Sequence, residues 1–185
     1  MNLRFNNIFF SAVILALVLM SCTGNEEKNV EQKQQAKQRV FEGYHVLLDE
    51  IVRSKSGIFR GVNLNCSADS IKSMEDVAPT EVSSGHLYYE YAADSITNYS
   101  IDYTLENDSL EEISVQINTK DLELANYLFC DLKDYYANKL PNPTEDKGYV
   151  VYNCFEGQRK PFVVSLSDNS SPALGIINMV IYKDK

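Results

Sequence analysis

Strict alternation of apolar and polar residues is the feature that most restricts the fold of this chain. From residue 99 to 105, and again from 113 to 117, every second residue is apolar and its neighbours are polar. Successive side chains of a strand point to opposite faces of a sheet, so each segment predicts a strand with one buried and one solvated face. The tetrapeptide Glu106-Asn107-Asp108-Ser109 between them is typical of a turn. We therefore expect antiparallel strands whose solvated side carries Glu90, Ser100, Asp102, Thr104, Ser114 and Gln116.

Helical periodicity separates these strands from others. Apolar residues recur at helical spacing in segment 40–51, after the N-cap candidate Ser67 and between 119 and 140. The first helix could extend back to Val30, and the second is expected to end at Pro79. Further strands are expected at 58–64, 87–92, 149–155, 162–166 and 174–182. The predicted fold class is α+β: two tandem units of a helix plus a three-stranded antiparallel meander (67–118 and 119–182), preceded by an additional amphipathic helix.

The N-terminus carries an export signal. One positive charge at Arg4 precedes the apolar run 8–20, which leads into Leu19-Met20-Ser21-Cys22. The run is shorter than the ~20 residues that a membrane-spanning helix needs. The tetrapeptide resembles the lipobox of bacterial lipoproteins. That resemblance implies cleavage before Cys22, which would carry a thioether-linked diacylglycerol and an amide-linked acyl chain such as palmitate. It predicts a lipid anchor in the outer membrane, facing the periplasm or the cell surface.

The predicted domains follow from this export signal and lipobox. They are a signal peptide at 1–21, a polar tether at 22–39 and one globular α+β domain at 40–185. The tether is rich in Glu, Gln, Lys and Asn and cannot bury a core. Two short signals resemble those of exporting Bacteroidetes. One is the acidic pair Glu26-Glu27 after the lipidated cysteine. The other is the Asp-Ser-aliphatic pattern, which implies O-glycosylation of Ser70, Ser95 and Ser109, although Asp-Ser is also common in turns.

Charge and cysteine content restrict the partners. The whole chain has a net charge of −9 and no polybasic stripe, which argues against nucleic acid. The membrane is then held by the acyl chains of Cys22, because two chains anchor a protein stably where one does not. Three cysteines remain after lipidation: Cys66, Cys130 and Cys154. Cys130 and Cys154 could form one disulfide, or all three could stay as buried free thiols.

No catalytic or cofactor motif is present. The eight glycines form no phosphate-binding loop or nucleophile elbow, and the two histidines, His45 and His86, have no cysteine at zinc spacing. We expect no cofactor, no metal site and no enzymatic activity. Twelve tyrosines with no tryptophan supply large contact area with polar tips, although tyrosines that alternate in strands mostly pack in a core.

One sheet face lacks a polar side. In the last three strands both alternating sets contain apolar residues, so the face away from the helix needs a second cover. Either the helix at 40–53 or the first sheet covers it, or it binds a protein partner. The predicted partner surface consists of Tyr149, Val151, Phe155, Val163, Val180 and Tyr182.

The element order resembles the tandem helix-plus-meander units of the beta-lactamase inhibitory protein and the small lipoproteins of outer-membrane assembly. This resemblance implies a binding domain. The sequence therefore favours a non-enzymatic envelope lipoprotein that presents a sheet face to a protein, as an immunity protein or an assembly partner. The alternative is a periplasmic or surface enzyme, or a carrier of a small ligand or glycan.

Overall fold

The alternating segments lie at the centre of one antiparallel sheet of eight strands. The computed structural model describes residues 44–53, 57–141, 143–154 and 161–184. The predicted lipobox, the predicted tether and Phe155 lie outside these ranges. The strands are β1 (Glu81–Val82), β2 (His86–Ala92), β3 (Thr97–Glu106), β4 (Ser109–Thr119), β5 (Thr144–Asp146), β6 (Tyr149–Cys154), β7 (Phe162–Asp168) and β8 (Gly175–Lys183). The helices are α1 (Val46–Val52), α2 (Ala68–Met74) and α3 (Leu122–Ala137).

The order of the strands reflects the tandem layout. They run β1-β2-β3-β4-β8-β7-β6-β5, so the last strand of the first unit pairs with the last strand of the second. Each unit is a helix followed by a short edge strand and a meander of three longer strands. The predicted α+β class, with helices and antiparallel meanders, is confirmed. The expectation of two separate sheets is wrong, because β4 and β8 join the meanders edge to edge.

Helix α1 is shorter than the helical pattern suggested. His45 has extended backbone angles (φ −63°, ψ 139°), and its Nδ1 accepts a hydrogen bond from the amide of Leu47. The described helix therefore begins at Val46 and does not continue back through His45 towards Val30. Leu48 and Ile51 are fully buried, and the amide of His45 donates to Asp131 Oδ2 on α3 at 2.7 Å. These contacts fix α1 against α3.

The strand predicted at 58–64 is a tight turn instead. Phe59 and Val62 form an isolated bridge, and both residues between them have positive φ, 49° at Arg60 and 86° at Gly61. The apolar residues of the segment still enter the core, since Phe59, Val62 and Leu64 are buried. Helix α2 begins after the predicted N-cap Ser67 but ends at Met74, before Pro79.

The longer helix α3 begins at its N-cap Asp121, whose Oδ1 accepts from the amides of Glu123 and Leu124 at 3.0 Å each. It ends at Ala137, three residues before the predicted end. It approaches β8 closely: a Cβ placed on Gly175 would lie 2.4 Å from the Cβ of Ala125. Glycine at this position allows the helix to contact the sheet.

All three described helices lie on the same face of the sheet, which we call the inner face. Helix α3 packs on β4, β6, β7 and β8, α1 packs on α3, and α2 leads into Glu75, which contacts Tyr103 of β3. The core of the inner face includes Leu87, Tyr89, Ile101, Tyr103, Val115, Ile117, Tyr152, Val164, Leu166, Ile177, Met179 and Ile181. No helix of the described residues covers the opposite face, which we call the open face.

The cysteines of the described ranges do not form the disulfide that the sequence allowed. Cys66, Cys130 and Cys154 are free thiols. Cys154 is buried as expected, but Cys130 is exposed on α3 and Cys66 is half-buried. The expectation that all three are buried is therefore wrong for two of them.

Candidate binding site on the open face

A groove of about 770 Å³ lies in the middle of the open face. It crosses β2, β3, β4 and β8, so residues from both tandem units line it. The side chains that the strand alternation places on its floor are Tyr88, Glu90, Asn98, Ser100, Asp102, Ser114, Gln116, Asn118, Asn178 and Val180. Most of these side chains carry a hydroxyl, amide or carboxylate group.

The strand register builds the floor as rows that run across the strands. One row places Asp102 between Tyr88 and Ser114 and continues to Val180. The next row is Glu90, Ser100, Gln116 and Asn178. Cross-strand neighbours on one face have Cβ atoms about 4.5–5.5 Å apart, so each row is a line of contacting side chains.

Asp102 is the least satisfied polar group in the groove. Its Oδ1 is buried and has no hydrogen-bond partner. The two neighbouring hydroxyls donate elsewhere: Tyr88 to Glu90 Oε1 at 3.3 Å and Ser114 to Glu112 Oε1 at 3.0 Å. Burial raises the pKa of Asp102, and the charges of Glu112 and Glu81 add to the rise while His86 opposes it. The groove therefore holds a carboxylate that lacks a donor.

The charge on the open face is of one sign. The first half of the sheet, β1–β4, places Glu81, Glu90, Asp102, Glu106 and Glu112 on this face. In the second half, β6, β7 and β8 place no charged side chain there, and β5 adds Asp146 at the far edge. None of the eight strands, as described, directs a lysine or arginine to the open face. His86 is the only basic side chain that the described strands place on this face.

The predicted partner surface lies on the open face beside this groove. Tyr149 is 47% exposed, and Val151, Val180 and Tyr182 are half-buried. Val163 shares the face but is only 3% exposed, so its place in the predicted surface offers almost no accessible area. Phe155 lies outside the described residues.

Of the covers that the sequence suggested, neither the described part of the helix (44–53) nor the first meander lies over this patch. Helix α1 packs on the inner face, and the first meander continues the same sheet instead of stacking on it. The outer side chains predicted for the first meander (Glu90, Ser100, Asp102, Thr104, Ser114 and Gln116) do point to the open face. Sequence reasoning missed that the two sets form one surface, because nothing local indicates that β4 pairs with β8.

The inner face contains a second polar cluster, which is closed to solvent. The Arg60 guanidinium, whose side chain is fully buried, contacts Glu75 through Nε at 2.8 Å and Nη2 at 2.6 Å. Glu75 also accepts from Tyr91 at 2.8 Å and from Tyr103. Arg60 Nη1 donates to the carbonyls of Glu50, at 2.7 Å, and Ile51. The cluster joins α1, the 59–62 turn, the end of α2 and the sheet.

Opposing effects set the ionisation of this cluster. Burial alone would raise the pKa of Glu75, but hydrogen bonds from Arg60 and Tyr103 and the charge of Arg60 outweigh burial and lower it. Burial and the adjacent Glu75 raise the pKa of Tyr91 and Tyr103. Each group is therefore held in its ordinary charge state, and the cluster contains no poised acid or base. We interpret it as structural, and it accounts for several of the chain's tyrosines.

The other sequence candidates do not line the groove. His45 caps α1, and His86 begins β2. Ser70 and Ser95 are exposed and Ser109 is half-buried, which leaves at least the first two accessible for modification. Among the described residues, no group of three or more His, Cys, Asp or Glu side chains is arranged to hold a metal ion.

Comparison with known proteins adds no relative: no protein-family model, curated protein or solved structure matches the chain. Within the part of the chain that the structure describes, no helix is long and apolar enough to cross a membrane.

Proposed function

We propose that this chain is a lipid-anchored binding protein of the bacterial outer membrane, without catalytic activity, which presents its open sheet face to a protein partner. The observation that carries the proposal is the one-sided packing of the sheet. All three described helices lie on the inner face, while the eight strands form a grooved opposite face whose aromatic and aliphatic side chains no described helix covers.

The composition of that face favours a protein over a small ligand. Small-molecule sites are concave, mostly apolar and bury most of the ligand. Here most side chains on the groove floor are polar, and the groove adjoins an apolar strip formed by Val180 and Tyr182; Tyr149 and Val151 lie further along the same face, beyond Ser165 and Ser167 of β7. A protein–protein interface has such a pairing of an apolar centre with polar surroundings, and tyrosine is enriched in it.

The lipid anchor supports an envelope role. Cys22, carrying its acyl chains, would hold the domain at the membrane, and the polar tether would let the open face reach a neighbour. Two partner classes fit: an envelope-targeted toxin, for which the chain would be an immunity protein, or a component of envelope assembly. The genes beside this one distinguish them, because a toxin or effector gene next door favours immunity.

Site-specific photo-crosslinking in intact cells tests the partner proposal. A photoreactive amino acid at Gln116 or Asn178, on the groove floor, should yield one discrete crosslinked protein. The matched control is the same group at Asn126, which is exposed on α3 on the other side of the sheet. It should yield no crosslinked protein. Absence of a crosslink from every open-face position, or an equal one from Asn126, would refute the proposal.

Lipidation is tested on the purified native protein. Mass spectrometry of its N-terminus should find acylated Cys22, and Cys22→Ser should leave the precursor unprocessed or the protein released from the membrane. Cys130→Ser is the control, because this thiol is free and exposed on α3. A mature N-terminus at any other residue would contradict the anchor.

A further inference from the structure

We infer that the groove binds a lysine- or arginine-bearing segment of the protein partner, with the cationic group at Asp102 and the apolar part of the segment over Val180 and Tyr182. This inference rests on the proposed function and specifies the chemistry of its partner. It combines three observations: the charge of the face, an unpaired acceptor in the groove and the neighbouring apolar strip.

The charge of the open face selects for a basic partner. Five carboxylates lie on the open face of β1–β4, and no lysine or arginine of the described strands balances them there. The nearest lysine on β8, Lys183, is on the inner side and is paired with Glu111. An uncompensated potential of one sign speeds the association of a partner of opposite sign and disfavours acidic partners.

Asp102 specifies where the cation lies. Its Oδ1 has no donor, and the hydroxyls of Tyr88 and Ser114 on either side donate to other carboxylates. An ammonium or guanidinium group supplies several N–H donors and no acceptor, so it can complement this half-exposed carboxylate. Hydrogen bonds between ionised partners are stronger than neutral ones, which makes a lysine or arginine the best complement to this position.

The apolar strip specifies what accompanies the cation. Val180 is the cross-strand neighbour of Ser114, and Tyr182 is the neighbour of Glu112. The change from acidic to apolar therefore occurs between β4 and β8, across one pair of strands. Lysine and arginine have aliphatic stems that pack on apolar surface while the charged end contacts a carboxylate. A segment with a basic residue next to an apolar one fits this boundary.

Binding of two matched peptides to the purified native protein tests the inference. One twelve-residue peptide alternates lysine with valine and serine, and the other has glutamate in place of each lysine. Amide chemical shifts should move in β2, β3, β4 and β8 with the lysine peptide only, and its affinity should fall as salt is raised. Asp102→Asn should weaken it roughly tenfold, the loss expected for a charge-assisted hydrogen bond.

Two variants make the result specific. Asp134→Asn removes the same charge from an exposed position on α3 and should leave the affinity unchanged. Glu90→Gln, on the next row of the groove, should weaken binding by a smaller factor than Asp102→Asn. Equal binding of both peptides, shifts located on the helices, or equal effects of Asp102→Asn and Asp134→Asn would overturn the inference.

The crosslinking experiment separates this inference from the proposed function. If Gln116 crosslinks a protein at a segment without lysine or arginine, the partner chemistry is wrong and the binding function stands. If the lysine peptide binds the groove but no open-face position crosslinks a protein in cells, the proposed function fails instead.

Discussion

Substitution of Glu75 by alanine should cause the largest loss of stability of any single change that the structure identifies. Glu75 is the only carboxylate that contacts the guanidinium of Arg60 in the described part of the chain, and both side chains are fully buried. Glu75→Ala leaves a buried cation together with two tyrosine hydroxyls that lose their acceptor. Removing one partner of a buried ion pair costs about 3–5 kcal/mol, which is a large part of a domain's stability.

The expected loss converts to a thermal shift. For a unit of about 140 residues, 1 kcal/mol corresponds to about 3 °C, so the midpoint should fall by about 9–15 °C. Circular dichroism during heating, together with urea unfolding, measures it. Asp76→Ala is the matched control: Asp76 pairs with Arg53 but is 69% exposed, and its loss should cost less than about 1 kcal/mol.

A double substitution tests the reason for the loss. Arg60→Met with Glu75→Leu removes both charges and fills the space with apolar atoms, so it should recover most of what Glu75→Ala loses. Losses of the single variants that simply add in the double variant would show that the two residues are not coupled. A midpoint of Glu75→Ala within 3 °C of the parent would refute the reasoning outright.

The same carboxylate makes stability depend on pH. The pKa of Glu75 is lowered in the folded state from its ordinary value of 4.5, so the unfolded chain binds a proton first as pH falls. The contribution of Glu75 is fully present above about pH 4.5 and is lost as pH falls towards the folded-state pKa. The parent should therefore lose stability steeply below that pH, and the double variant less steeply, in urea unfolding at stepped pH.

Three further results are expected. Burial raises the pKa of Tyr99 and Tyr135 to about 12. Because tyrosines of the unfolded chain ionise near pH 10, the folded state should lose stability above that pH. A titration of tyrosinate absorbance that is complete near pH 10 without unfolding would contradict this. Asp102→Asn should raise the thermal midpoint slightly, on the order of a few degrees at most. The reason is that burial raises the pKa of Asp102, so the folded state disfavours its ionised form. A lower midpoint would contradict this prediction. Gly175→Ala should cost about 1–3 kcal/mol, since its Cβ would lie 2.4 Å from that of Ala125, and Ala125→Gly in the same chain should recover part of that loss in urea unfolding.

Sequence periodicity predicted the strands that have one solvated face. Segments 97–106 and 109–119 alternate with burial as expected, and the turn between them places Asn107 and Asp108 at positive φ, which these residues tolerate. The period of two is imposed by the pleat itself, so it appears in the sequence wherever one face is buried. The same holds for the N-cap Ser67, whose side chain accepts a backbone hydrogen bond locally.

Features that depend on distant residues were not predictable. The segment 58–64 has the composition of a strand, but Arg60 and Gly61 turn it back so that the guanidinium reaches Glu75, which lies fifteen residues further on. Nothing local to Arg60 indicates that it is fully buried, because lysine and arginine are almost never buried unless paired. The short edge strands β1 and β5 were missed for a related reason: their residues are exposed and carry no alternation.

The binding site shows the same division between local and distant information. The apolar residues on the outer side of β6–β8 could be read from the sequence, although Ser165, Ser167 and Asn178 lie among them on the same face. The acidic residues of β2–β4 were also placed on the correct face, but as an ordinary solvated surface of a separate sheet. The pairing of β4 with β8 makes the acidic and the apolar residues neighbours on one face, because it brings Ser114 beside Val180 and Glu112 beside Tyr182. A boundary between acidic and apolar surface exists only through that pairing, and this boundary restricts which partner the open face can bind.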